Sequence, residues 1–166
     1  MNDPNPNPAV ASTAAAPTTA AAPPADAGNV GMAVAAGLVA ALVGAILWAV
    51  VTVTTKYQIG FMAVGVGLLV AWAVRSFGKG SAMTFSYIGG ALALVGCLLG
   101  NLLSACGFLA EARDVPLLPL VGRVLASPDI ATSLLSATFS GMDLLFYAIA
   151  VYEGFKLSRL AAPAAS

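Results

Sequence analysis

Four side chains in this sequence have the chemistry to hold a proton, a cation or a hydrogen-bonding ligand away from water: Lys56, Asn101, Asp143 and Glu153. Asn101 is the one strongly polar side chain deep in a long apolar run, and its amide needs partners in a medium that offers none, so it must face protein. Its plainest role is an interhelical hydrogen bond, worth about 0.6–2 kcal/mol in lipid. Its functional alternative is a polar point on a permeation or ligand path. Asp143 and Glu153 stand ten residues apart, about 15 Å along a helix, which puts them at opposite rims of one span. Lys56 shares a rim with Asp143, and Lys156 shares the other with Glu153, so ion pairing is open to both acids. Ionisable groups at such depth are candidates for binding a proton, a cation or a headgroup; helix capping and topology anchoring are the structural alternatives.

What is missing narrows the chemistry further. The chain has no histidine, which removes the commonest general base and the commonest metal ligand. No catalytic constellation, metal set or cofactor motif is assigned, and an enzyme built from this chain would have to work with Asp143, Glu153 or Lys56. Cys97 and Cys106 are nine residues apart, about 13 Å along a helix and on opposite sides of it, and read as small apolar side chains rather than a pair. Seven basic residues balance seven acidic ones without a basic run, so neither a nucleic-acid partner nor a polybasic lipid-binding patch is expected.

The elements that must position these groups are set by hydrophobicity. The chain is 60% hydrophobic and only 8% charged, with a mean hydropathy of +0.93, and its partner is the lipid bilayer. Three stretches, 27–55, 57–74 and 80–110, carry no charge, and each can cross a hydrocarbon layer that needs about 20 residues of helix. The expected fold is all-α and polytopic, with four transmembrane helices at about residues 31–53, 57–74, 85–110 and 141–157 in a domain covering 30–160. Trp48, Tyr57 and Trp72 read as interface anchors. Ser140 and Asp143 form the S-x-x-D signature of a capping box and start the fourth helix. The rival frame, 131–152, would place Asp143 at mid-membrane, where an ionised carboxylate costs at least about 2.5–3.5 kcal/mol. Between residues 111 and 140 the prolines and charges predict an extramembrane or interfacial loop, with a short interfacial helix at 130–139.

Residues 1–29 are rich in Pro and Ala and predict a disordered tail; the segment lacks a basic n-region and reads as retained rather than as a signal peptide. Residues 161–166 form a short C-terminal tail. Four spans put both termini on one side. Arg75, Lys79, Lys156 and Arg159 accompany them, against Lys56, Arg113 and Arg123 opposite, and the positive-inside rule then makes the termini cytoplasmic. Gly96, Gly100 and Ser104 form consecutive small-xxx-small steps, which let helix backbones approach within one bundle or between protomers. A weaker stripe, Ala33, Gly37, Ala41 and Ala45, runs along the first helix.

Three segments carry a resemblance: VTVTTKYQIGFMAVGVGLLVAWAVRSFGKG from Val51 to Gly80, GCLLGN from Gly96 to Asn101, and MDLLFYAIAVYEGFK from Met142 to Lys156. Together they resemble a group of small, uncharacterised four-helix bacterial integral membrane proteins. The resemblance implies a bacterial inner membrane and one compact unit, and transfers no catalytic role. The function expected is a non-enzymatic scaffold or accessory subunit, associating through Gly/Ala-rich helices with a membrane-protein partner or with itself. The alternative is an oligomeric transport or permeation unit for a small solute or ion.

Overall fold

A computed structural model describes residues 28–57 and 60–160, which form six helices and no strand: α1 (Val30–Thr55), α2 (Phe61–Gly78), α3 (Met83–Arg113), α4 (Leu117–Ala126), α5 (Pro128–Thr138) and α6 (Gly141–Leu157). Most of the Pro/Ala-rich tail and all of residues 161–166 lie outside the described residues. Its last two positions do not belong to that tail. Asn29 is the N-cap of α1, its side chain accepting from the Met32 N–H at 3.0 Å, and its own N–H donates to the Gly78 carbonyl at 2.7 Å.

α1 shows what solvent this chain is built for. Its inward face is Ala33, Gly37, Ala40, Ala41, Gly44 and Ala45, while Val39, Leu42, Ile46 and Val50 point outward. Small residues inside and large apolar ones outside is the reverse of the order water imposes. It is the order lipid permits, because helices there are held by close backbone approach rather than by hiding leucines. α1, α2 and α3 are each long and apolar enough to cross a membrane, and α4 with α5 passes the same test only as one pair bent by 107°. The chain is therefore a helical membrane protein with three to four candidate spans.

α1 and α3 run in one direction, α2 and α6 in the other. Contacts pair Gly37 with Leu92, Gly96 with Ala41 and Gly107 with Val53 along α1 and α3, and Gly67 with Ala150 where α6 crosses α2. α6 returns antiparallel to α3: the Tyr147 ring reaches Cys97, Gly154 meets Gly89, and the Leu160 N–H donates to the Gly80 carbonyl at 3.0 Å. The start of α1, the α2–α3 turn and the end of α6 thus share one end of the bundle. At 17 residues, about 26 Å of helix, α6 is shorter than its neighbours and begins beside the middle of α3.

The structure departs from the expectation in three ways, for related reasons. α2 starts at Phe61 rather than Tyr57, because Lys56 closes α1 in the left-handed region (φ 60°) and the chain must turn before it can re-enter. α2 and α3 run on through Arg75 and Arg113, each closed by a left-handed residue, Lys79 and Asp114. Arginine and glutamate end an apolar stretch but are good helix formers. The third correction is in the segment 111–140: the short helix expected at 130–139 is present as α5, but residues 117–126, expected as loop, form α4 as well. Its prolines sit where helices tolerate them: Pro116 is the N-cap of α4, Pro119 lies in its first turn, and Pro128 opens α5. First-turn N–H groups have no intrahelical partner to lose. Ser127 both ends α4 and caps α5. Leu120, Val121, Val124, Leu134 and Leu135 then pack onto Leu102 and Cys106 of α3.

Candidate functional site

The polar side chains gather where α6 begins. Asp143 sits in its first turn and its carboxylate accepts from the Ser140 N–H at 2.8 Å, while the Ser140 hydroxyl takes the Asp143 N–H, completing the capping box. The helix start supplies partial positive charge at that point. That lets Asp143 lie buried, at 5% exposure, although no cationic partner is paired with it among the described residues. It is a covered group rather than one at an open rim: Phe139, at the end of α5, stacks edge-on against Tyr147 one turn further along, with centroids 5.8 Å apart.

The antiparallel register places Asn101 of α3 opposite this turn. Asn101 is buried, and its side chain is in hydrogen-bonding contact with Tyr147. The Tyr147 hydroxyl also donates to the Cys97 carbonyl at 3.3 Å. Trp48 of α1 closes the group, its ring perpendicular to Tyr147 with centroids 6.3 Å apart. One turn on, Thr52 is fully buried; the Trp48 indole nitrogen and the Thr52 hydroxyl have no hydrogen-bond partner among the described residues. Asn101 and Asp143 are therefore neighbours of a Trp–Thr–Tyr cluster that the sequence does not group with them.

The other two candidates stand apart. Lys56 pairs with Glu111 across the ends of α1 and α3, not with Asp143, and lies 5.8 Å from the Phe108 ring centroid. Lys156 bonds the Tyr152 hydroxyl at 3.1 Å rather than Glu153. Glu153 is half-buried, and its Oε2 has no partner among the described residues.

The small-residue steps face inward. A methyl at Gly96 would lie 2.7 Å from Val66 of α2, and one at Gly100 would lie 2.9 Å from the Trp48 ring, so Gly100 is the seat of the tryptophan. Ser104 returns its hydroxyl to the Gly100 carbonyl at 2.7 Å. Trp48 is thus a core residue and not an interface anchor. The signal was in the sequence: Trp48 and Thr52 extend the Ala33, Gly37, Ala41, Ala45 stripe along the same face. Cys97 and Cys106 are both free and buried, the first toward α2 and α6, the second under α4 and α5. No group of three or more His, Cys, Asp or Glu side chains converges among the described residues.

No family model, curated protein or solved structure matches this chain.

Proposed function

We propose that the chain is a non-enzymatic scaffold or accessory subunit of a bacterial cytoplasmic membrane, crossing it four times through α1, α2, α3 and α6 with both termini cytoplasmic. In this reading α4 and α5 form a re-entrant cap on the opposite face, and the chain sits with the small bacterial membrane proteins its motifs resemble. The observation that carries the reading is the contact along the bundle axis. A methyl at Gly67 would fall 2.7 Å from the Ala150 carbonyl oxygen, and one at Gly154 would fall 2.7 Å from that of Gly89. Backbones in contact leave little width for a solute at these crossings. The Gly/Ala faces hold the chain's own helices, so a partner must use the lipid-facing surface or the cap.

Crosslinking in the native membrane followed by mass spectrometry tests this. A defined heterologous subunit in constant ratio to the chain is the expected product; a strict monomer in detergent with no crosslinked partner overturns it. One observation favours a second reading, an oligomeric permeation unit: the buried carboxylate oxygen of Glu153, which has no partner among the described residues. Liposome flux that falls in Glu153→Gln, Asp143→Asn or Asn101→Leu supports that reading, and flux unchanged in all three removes it.

A further inference from the structure

The bend between α4 and α5 opens two adjoining grooves against the end of α3, of about 290 and 330 Å³, which share Leu109, Leu120 and Arg123. Their volumes fall at the lower end of ligand clefts. The walls are apolar apart from the two arginines and Ser133, and both arginines, Arg113 and Arg123, line the first groove. Neither is ion-paired among the described residues, since the one salt bridge there joins Lys56 to Glu111. Asp114 and Asp129, the other acids of this end, are not among the residues that line either groove. The surface around it is also apolar, with Leu118 at 83% and Leu125 at 54% exposure. In the four-span reading proposed above, the apolar run of α3 ends at Arg113 and brings that residue to headgroup depth, and Arg123 lines the same groove.

From this arrangement we infer that the joined grooves dock an anionic phospholipid. Its phosphate sits between Arg113 and Arg123, and one acyl chain lies along Leu109, Leu120, Ile130 and Leu134. Guanidinium groups suit phosphate oxygens because their paired N–H groups match them two at a time. A zwitterionic lipid would fill the same walls but carry a choline into a bicationic mouth. The groove exists whether or not the chain serves as a subunit of a larger assembly.

The test is lipid retention by the purified protein in nanodiscs of equal dioleoylphosphatidylglycerol and dioleoylphosphatidylcholine, read by native mass spectrometry after detergent release. The wild type retains the phosphatidylglycerol in preference to the phosphatidylcholine, with about a fivefold contribution from each arginine. Arg113→Gln with Arg123→Gln abolishes the preference, whereas Lys56→Gln, at a cation outside the grooves, leaves it intact. Ala137→Trp, at an exposed position on the second groove, lowers retention of both lipids while the protein keeps its wild-type melting profile. Equal retention of the two lipids by the wild type, or a preference that survives loss of both arginines, overturns the site. Retention indifferent to Ala137→Trp reduces it to surface charge and overturns the acyl groove. Inorganic phosphate competing as well as the lipid overturns the lipid as occupant.

Discussion

The two ends of the bundle solve the same packing problem differently. At the end holding the chain's first described residues, glycine brings backbones together. Gly80 seats the Phe85 ring so closely that a methyl there would overlap it, and Gly89 lies against the Gly154 carbonyl and the Ser158 side chain. At the other end the helices are held apart by side chains: Trp48, Tyr147 and Phe139 stack edge to edge, and Asn101, Thr52 and Asp143 lie among them. The first arrangement gains dispersion contact and tolerates no added volume. The second accommodates polar groups, and the cap of α4 and α5 lies over it.

That contrast is broken most severely at the glycine end. Gly154→Leu forces a side chain into the Gly89 backbone, which cannot give way as a rotamer would; a loss of about 3 kcal/mol or more is expected, read as the missing folded fraction in SDS-titrated unfolding. Gly65→Leu is its control: nothing lies within 4 Å of a methyl there, and the change should stay within about 0.5 kcal/mol. If both substitutions cost the same, the loss at Gly154 does not come from its contact with the Gly89 backbone, since leucine is the better helix former at both positions.

At the aromatic end the effects are smaller. Tyr147→Phe keeps both ring contacts and removes the hydroxyl from Cys97 and Asn101, for an expected loss of about 0.6–2 kcal/mol by the same assay. Ser140→Ala removes half of the capping box and should cost about 1 kcal/mol, with faster hydrogen exchange confined to the first turn of α6. The smallest effect belongs to the Lys56–Glu111 pair, whose side chains are 57% and 52% exposed. Glu111→Gln should change stability by no more than about 1 kcal/mol, and by less as salt is raised. A larger loss at Glu111 than at Tyr147 would reverse the ranking of the two kinds of contact.

Much of this architecture was legible before any coordinate. Residues 141–157 form the last helix at the expected positions because a capping box specifies a start through its own two hydrogen bonds. The membrane-length helices followed from runs without charge. The helix expected at 130–139 is present as α5, whereas α4 is hidden from a reading that treats proline as a breaker, because Pro116 and Pro119 occupy positions that need no N–H donor. For the candidate site, Asn101 and Asp143 stood out as polar groups in apolar surroundings. Trp48, Thr52 and Tyr147 did not, because an aromatic near the end of a span reads equally well as an anchor in the headgroups.

Sequence by itself determined the solvent of this protein and three of its membrane-length helices, α1, α2 and α3, since the cost of charge in hydrocarbon depends on composition along one segment; α6, expected as a fourth span, is a 17-residue helix that is not among them. It also determined that the small residues of α3 would lie against another helix. Only the tertiary structure decided which helix: Gly100 is matched to Trp48 and Gly154 to Gly89 by an alignment of three separate segments that no local pattern encodes. The partner of Lys56, the covering of Asp143 and the paired arginines at the α4 groove were decided there too. Each depends on where α4, α5 and α6 turn back, and a turn of one or two residues redirects a whole helix.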